Sequence, residues 1–432
     1  MINYDYGIIF SRILTSVGVI FIEETFADQL DQYAQLITKV GANVQPGQTI
    51  ILYADVSQAR LAELISSWAY KLKANEVIVK WNDSKIQRQF LKHTSETRLQ
   101  EAYEFERIAA QELMDKHASR ISLLSDSPDV FSEVEPARIN QYQKTYSKVK
   151  KPVTKATMNN DISWLVVAAA GADWAKMLYP ELSSEKAVAK LWQAIFTATR
   201  INTPDPEKIW KEHVSDLSNR ADWLNQQQFD SLHYQSAKTD ITVGLPKGHV
   251  WEGAGSTDLA GNFFVPNIPT EEVFTAPDSR RINGTVSATL PLSNNGQLIK
   301  DIKLMFKDGR VISAQASSGE ELLKHLINTD EGASSLGEVA LVPESSPISQ
   351  MKTIFYNTLF DENASDHMAL GSGYPFSIKD GTKKTRTELA SLGLNDSQIH
   401  VDFMIGSADM NITGIKANGE EVSIMTNGEW TE

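Results

Sequence analysis

The amino-acid sequence predicts an α/β N-terminal domain with a largely parallel sheet, followed by an α+β C-terminal domain. A chain of 432 residues is too long for one ordinary core, because single hydrophobic cores stop growing at about 250–300 residues. The first half alternates helix-like and strand-like segments, whereas glycine and proline separate short β-like runs after about residue 233. We therefore expect domains at residues 23–235 and 236–432, preceded by an extension of doubtful status at residues 1–22.

The alternation in the first half begins at about residue 26. A helix-like stretch at residues 27–40 leads through a proline-glycine turn to an apolar strand at residues 49–54. At residues 56–74 apolar side chains recur every three or four positions, as one buried helix face requires, and residues 76–81 form the next strand. Strands joined through a helix run parallel, so this order predicts a parallel sheet covered by helices. Further strands are expected at residues 121–124 and 164–170, and further helices at residues 185–199 and 205–227.

The second half consists mainly of short β-like segments. They start at residues 241, 263, 284, 301 and 310. A short helix is expected at residues 319–328 and a strand-like tail at residues 399–415. This mixture of strands with a few helices is typical of an α+β domain.

Residues 13–22 form an apolar run that follows Arg12 and resembles the core of an export signal. The run is too short to span a bilayer, has no small-residue cleavage site, and leads directly into Glu23 and Glu24. An N-terminal extension or a misplaced start upstream of the domain explains it better, and we expect the protein to be cytoplasmic.

Charge and cysteine content restrict the classes of function. The formal net charge of −14 opposes binding to nucleic acid and to anionic membranes. The basic cluster Lys148, Lys150 and Lys151 is interpreted as a solvated loop rather than a binding patch. Cysteine is absent from the sequence, which excludes disulfides, thiolate metal sites and a cysteine nucleophile. Any metal ion must therefore bind to oxygen and nitrogen.

The common catalytic motifs are also missing. The sequence contains no Gly-x-Ser-x-Gly elbow, no His-Glu-x-x-His helix, no Gly-x-Gly-x-x-Gly segment and no phosphate-binding Gly-x-x-x-x-Gly-Lys loop. These absences argue against a serine hydrolase and against an enzyme that acts on nucleotides.

Histidine is a common ligand of transition metals, and the sequence has only eight. His400 and Asp402 form a His-x-Asp unit in a strand-like run, where alternation places both side chains on one face of the sheet. Such a pair can bind one metal ion, but the polar face of an exposed strand would have the same pattern.

Several carboxylates occupy positions that are unfavourable for a purely structural acid. Glu271 and Glu272 are adjacent like charges, which a cation would relieve. The start of a helix capped by Thr270 would explain them equally well. Glu338 lies inside an apolar strand, where an unpaired carboxylate is costly and a cation would remove the cost.

Glu362 and His367 lie five positions apart in a segment rich in oxygen donors. Either a metal site or a plain polar turn accounts for this segment.

Four separated blocks of the sequence resemble one known family. The first runs from Pro246-Lys-Gly-His-Val-Trp251 through Gly261-Asn-Phe-Phe-Val-Pro-Asn-Ile-Pro-Thr-Glu-Glu-Val-Phe-Thr-Ala-Pro277. The others are residues 336–343, 360–374 and 400–402. The chain resembles the aminopeptidase T, aminopeptidase S and PepS family of bacterial metallo-aminopeptidases (thermophilic metalloproteases) from about residue 24 to its end.

The resemblance implies a centre of two divalent metal ions in the C-terminal domain, with zinc, cobalt or manganese as the metal. The family's ligand positions correspond here to Glu272, Glu338, Glu362, His367, His400 and Asp402. Glu338 takes the place of the carboxylate that bridges the two ions. Two such ions activate a water molecule, polarise the scissile carbonyl and hold the α-amine of a peptide.

The resemblance also implies catalytic residues and an assembly. Tyr374 matches the active-site tyrosine and would donate a hydrogen bond to the developing oxyanion. Glu271, beside a ligand, would carry the proton from the water to the leaving amine. Members of the family form homodimers that admit short peptides. The first 22 residues have no counterpart in the family that we can place.

Two alternatives remain open from the sequence. The same metal ions could serve another amidohydrolase or a carboxypeptidase, which would accept substrates with a blocked α-amine. A relative that kept the fold but lost catalysis would bind peptides without cleaving them.

Overall fold

The structure is a computed structural model that describes residues 25–294 and 297–431. The predicted extension at residues 1–22 lies outside these ranges. Helices are α1 (Phe26–Leu36), α2 (Ala59–Lys71), α3 (Ser84–His93), α4 (Glu96–Leu99), α5 (Glu104–Asp115), α6 (Pro136–Met158), α7 (Ala172–Leu178), α8 (Ser184–Ala198), α9 (Pro206–Gln227), α10 (Glu320–Ile327), α11 (Pro347–Gln350), α12 (Thr358–Asp361) and α13 (Arg386–Leu392).

The strands of the first half and of the central loops are β1 (Thr49–Asp55), β2 (Glu76–Asn82), β3 (Ser119–Leu124), β4 (Trp164–Ala168), β5 (Ser231–Gln235), β6 (Asp240–Gly244), β7 (Glu252–Gly253), β8 (Ser256–Thr257), β9 (Phe263–Phe264), β10 (Asn267–Ile268) and β11 (Val273–Thr275). The remaining strands are β12 (Ile282–Ser287), β13 (Leu292–Asn294), β14 (Gln297–Ile299), β15 (Lys303–Lys307), β16 (Arg310–Gln315), β17 (Leu336–Leu341), β18 (His367–Gly371), β19 (His400–Met404), β20 (Asn411–Ile415), β21 (Glu421–Thr426) and β22 (Glu429–Trp430).

A five-stranded parallel sheet organises the first half, with strand order β10-β4-β3-β1-β2. Its interior strand β1 is apolar and largely buried, as expected for a strand covered on both faces. Helix α1 starts at a capping box in which the Thr25 side chain and Asp28 satisfy each other's backbone N–H groups. The predicted α/β class of this half is confirmed.

Two antiparallel sheets enclose the second hydrophobic core. An eight-stranded sheet has the order β16-β15-β12-β6-β5-β20-β21-β22, and a five-stranded sheet has the order β19-β18-β17-β11-β7. Helix α10 packs its buried Leu323 and Leu326 into the same core. This arrangement confirms the predicted α+β class of the second half.

Elements of the two halves interleave near the candidate site. Strand β5 pairs with β6 and β20 in the eight-stranded sheet, whereas β10 from the second half extends the parallel sheet beside β4. Helix α9 contributes Trp210 to the first core and Leu217 and Leu224 to the second. The division at residues 235 and 236 stays a prediction, and the loop after β10 lies where the two cores meet.

Three details of the sequence prediction were wrong. Helices α3 to α6 lie within residues 84–158, where the only element expected was the strand that β3 confirms. The three lysines of the basic cluster are exposed but lie on α6, not in a loop. The predicted tail is two strands, β19 and β20, that belong to different sheets. Helices α3 to α6 are rich in charged and polar side chains, which also occur in solvated loops.

Within the described ranges, no helix is both long and apolar enough to cross a lipid bilayer.

Candidate metal centre

The two faces of the five-stranded antiparallel sheet have opposite character. Side chains alternate between the faces along each strand, and paired residues of neighbouring strands share a face. One face packs into the second core through Val273, Val339, Leu341, Met368, Leu370, Val401 and Phe403. The opposite face carries Glu338, His367, His400 and Asp402. The alternation that buries the apolar side chains therefore collects the candidate ligands on one surface.

Two groups of candidate ligands share Glu338. Glu272, Glu338 and His367 form the first group, and Glu338, His400 and Asp402 form the second; the ligand atoms of each group lie within 4.8 Å of one another. His367 Nε2 lies 3.1 Å from Glu272 Oε2 and 3.6 Å from Glu338 Oε1. His400 Nε2 lies 3.3 Å from Asp402 Oδ1 and 3.7 Å from Glu338 Oε2. Each oxygen of Glu338 thus faces a different group.

Backbone carbonyls orient both imidazole rings. His367 Nδ1 lies 3.1 Å from the Ser365 carbonyl oxygen, and His400 Nδ1 lies 2.7 Å from that of Ser372. A carbonyl can only accept, so Nδ1 carries the proton and donates it in both rings. Nε2 is then left to face the carboxylates, which is how metal-binding histidines are commonly held.

The charges in the two ligand groups favour the binding of cations. Burial raises the pKa of the Glu338 carboxyl, although hydrogen bonding to His367 and the charge of His400 oppose the shift. Burial lowers the pKa of His400, but the carboxylate of Asp402 outweighs burial and raises it to about 10. Hydrogen bonds to Glu272 and Glu338 likewise raise the pKa of His367 against the effect of burial. Raised pKa values of this kind show that the cluster favours bound protons, and divalent cations would compete with protons for the same ligand atoms.

Glu362 and Tyr374 line the same cavity as Glu272, Glu338 and Asp402. Burial raises the pKa of Glu362, and the negative charge of Asp402 adds to this effect. Burial also raises the pKa of Tyr374, followed by the charge of Glu338, so its hydroxyl keeps its proton and can donate it. The predicted tyrosine and all predicted ligands except His367 therefore line one cavity, and His367 contacts two of those ligands, Glu272 and Glu338.

Glu271 has a different environment from the other predicted site residues. Arg200 donates two hydrogen bonds to its carboxylate, from Nη1 to Oε1 at 2.7 Å and from Nη2 to Oε2 at 2.9 Å. The backbone N–H of Glu271 donates to Asn363 Oδ1 at 2.7 Å. The proton-carrying role expected of Glu271 stays a prediction, and these contacts show that its side chain also anchors the loop that carries Glu272.

Three residues at or behind the site escaped the sequence analysis. Arg200 and His213 contact the 270–272 loop from the distant helix pair α8 and α9, and no local pattern marks them. Glu252 lines the cavity as well. Its position in a short strand between Trp251 and two glycines offered a signal, because an acid beside apolar residues is the same feature that identified Glu338.

The family described as thermophilic metalloprotease (M29) matches residues 26–430, a range that contains every candidate ligand. The chain belongs to the M29 family of metalloproteases. The resemblance inferred from the four sequence blocks is therefore confirmed.

Several M29 proteins are similar to this chain over almost their whole length. Aminopeptidase PepS of Streptococcus thermophilus is 48% identical over 94% of this chain and 98% of that relative. Aminopeptidase AmpS of Bacillus subtilis is 43% identical over 94% of this chain and 99% of the relative. The solved structure of wild-type AmpT from Thermus thermophilus is 34% identical, with a TM-score of 0.89 over 94% of this chain and 100% of that structure. The M29 fold is thus shared by both halves of the chain.

Proposed function

We propose that this M29 chain is a metal-dependent aminopeptidase that releases N-terminal residues from peptides. The observation that carries the proposal is Glu338, whose two oxygens face two separate ligand groups in one cavity. The similar proteins PepS and AmpS are aminopeptidases by name, and they cover nearly the whole chain. Hydrolysis of a peptide bond needs an activated water and a polarised carbonyl, which such a centre supplies.

The donor set supports two divalent ions per subunit. Glu272 and His367 would hold one ion, His400 and Asp402 the other, and Glu338 would bridge them. Glu362, in the same cavity, would complete the ligand set. Carboxylate and imidazole donors suit zinc, cobalt or manganese, which are the metals we propose. When bound, the ions supply Lewis-acid activation of the water and the scissile carbonyl and a ligand position for the α-amine.

Tyr374 acts on the substrate rather than on the metals in this proposal. Its ring lies 5.1 Å from that of His400, centroid to centroid, and stacks on Phe376 at 5.0 Å. This packing fixes the hydroxyl at the cavity wall. The hydroxyl would donate a hydrogen bond to the carbonyl oxygen as negative charge develops on it.

The test is hydrolysis of matched unblocked and N-acetylated aminoacyl substrates by the purified full chain. Activity on only the unblocked set, lost after chelation and restored by zinc, cobalt or manganese, is the expected result. Cleavage of the acetylated set would favour a carboxypeptidase or another amidohydrolase. A folded, metal-loaded protein without activity on either set would favour a peptide-binding relative that has lost catalysis.

We also propose that the protein works as a cytoplasmic homodimer. The β8–β9 hairpin exposes two large apolar side chains. Leu259 in its loop has an exposed fraction of 69%, and Phe263 on β9 has one of 44%. Ser256 of the same hairpin lines the cavity, so an interface here would restrict access to the site. Light scattering after size-exclusion chromatography should give twice the chain mass for the wild type and the chain mass for Leu259→Asp.

A further inference from the structure

Glu252 is a carboxylic acid that lines the cavity but has no role in the proposed mechanism. Among the residues that the structure describes, its side chain has no hydrogen-bond or ion-pair partner, although it lines the cavity with Glu272 and Glu338. Burial raises its pKa to about 7. Placing an unpaired carboxylate in a partly buried site opposes folding unless a partner arrives from elsewhere.

The sheet places Glu252 on the face that carries the metal ligands. Glu252 on β7 pairs with Phe274 on β11, so both side chains rise from that face. Glu272 lies two positions before Phe274 and immediately before β11 begins. Glu252, Glu272 and Glu338 line one cavity, so a substrate residue bound at the ligands lies in the cavity that Glu252 also lines.

Aromatic rings line the same cavity as Glu252 and the ligands. Phe274, Tyr374 and Phe376 form a cluster with centroid distances of 6.1 Å (Phe274 to Tyr374), 6.2 Å (Phe274 to Phe376) and 5.0 Å (Tyr374 to Phe376). Aromatic faces attract guanidinium and ammonium groups and pack against their aliphatic stems. A cavity that offers both an aromatic surface and an unpaired carboxylate suits a long cationic side chain.

We propose that Glu252 is the anionic end of a subsite that binds the basic side chain of the substrate's first residue, arginine or lysine. The proposal rests on the aminopeptidase activity proposed above. The metal centre holds the amine and the carbonyl of that residue, its aliphatic stem lies along the aromatic surface, and its charged group pairs with Glu252. Glu252 is a specificity-determining residue in this scheme, and it takes no part in the reaction.

Arginine and citrulline anilides test this subsite, because citrulline has nearly the shape of arginine without its charge. The metal-loaded wild-type protein should show a higher kcat/KM for the arginine substrate. In Glu252→Gln the preference should fall by about 10- to 100-fold, mainly through KM, because a hydrogen bond to a charged group is lost. The citrulline substrate should change by less than about twofold in the same variant. Glu321→Gln, a substitution on the exposed face of α10, is the matched control and should leave both values unchanged.

Two results would overturn the subsite. The first is a wild-type protein that cleaves both substrates equally well, and this comparison needs no variant to fold. The second is an equal loss on both substrates in Glu252→Gln, which would assign Glu252 to the α-amine or to structure. A leucine anilide separates the subsite proposal from the proposed aminopeptidase function. If the protein cleaved none of the leucine, arginine and citrulline substrates, both proposals would be overturned.

Discussion

Arg200 holds the carboxylate of Glu271 through two hydrogen bonds, 2.7 and 2.9 Å long, immediately beside the candidate ligand Glu272. Both side chains are buried, with exposed fractions of 14% and 5%. His213 supports the same loop, since its Nε2 lies 2.8 Å from the carbonyl oxygen of Thr270 and donates to it. Arg200, in the turn after α8, and His213 on α9 thereby connect the first core to the loop that carries Glu272.

Removing the arginine should therefore affect both stability and metal binding. Arg200→Gln leaves the Glu271 carboxylate buried without a cation, which costs about 3–5 kcal/mol of unfolding free energy. We also expect weaker binding of the ion held by Glu272, because the loop loses its anchor. Thermal unfolding of the metal-free protein and calorimetric titration with zinc measure the two effects separately.

The double variant Arg200→Gln with Glu271→Gln is the control for this prediction. It removes both charges and should recover most of the lost stability. Arg60→Gln, which breaks an exposed pair with Glu63, should cost no more than about 1 kcal/mol. If the double variant kept full metal content but lost turnover by more than about 100-fold, the result would support the predicted role of Glu271 in proton transfer.

Glu338→Gln should abolish activity in a protein that still folds. Glutamine has nearly the same shape, but its amide offers one neutral oxygen in place of two charged ones. We expect fewer than two metal ions per chain by elemental analysis and a loss of kcat of at least about 1000-fold. Glu331→Gln at an exposed position is the matched control. Normal turnover in Glu338→Gln would rule out the bridging position.

Tyr374→Phe should retain metal and lose turnover. The phenyl ring preserves the stack on Phe376, so only the hydroxyl is removed. Loss of one donor to a developing oxyanion lowers kcat by about 100- to 1000-fold. Tyr234→Phe removes a buried hydroxyl that has no hydrogen-bond partner within residues 25–294 and 297–431, and we expect it to leave kcat unchanged. A wild-type rate in Tyr374→Phe would exclude the tyrosine from the reaction.

The sequence marked several candidate ligands that lie close together in the structure, because their signals are local. Glu338 was identified from the cost of an acid in an apolar strand, and His400 with Asp402 from the alternation of a strand. Both features depend on only a few neighbouring residues, and both are present in the folded sheet. The assignment of Glu362 and Tyr374 depended on the family resemblance, since their own segments fit a plain polar turn equally well.

Long-range contacts explain what the sequence analysis missed. Arg200 lies 71 positions before Glu271, so neither segment contains a local pattern that predicts their ion pair. Strand β10 is only two residues long and is fixed by pairing with β4. Helices α3 to α6 are rich in charged and polar side chains, and such side chains are also common in solvated loops.

The stabilising effect of bound metal should increase with pH. In the metal-free protein, the pKa values of Glu338, Glu362 and His400 are raised, the last from 6.5 to about 10. A raised pKa contributes stability that is fully present below the unfolded value and is lost as the pH rises through the folded value. The metal-free protein should therefore lose stability from about pH 5 to about pH 10. The pKa of Asp402 is lowered from 3.8, so its opposite contribution is constant over this range.

Bound cations reverse this trend because they bind the deprotonated ligands, and protons compete with them less as the pH rises. Unfolding temperatures measured with excess zinc and with chelator should therefore diverge as the pH increases. In Glu338→Gln the gap between the two curves should be small at every pH, because both ligand groups share this residue. A gap that stays constant in the wild type would mean that the histidines and carboxylates of this sheet face do not hold the metal.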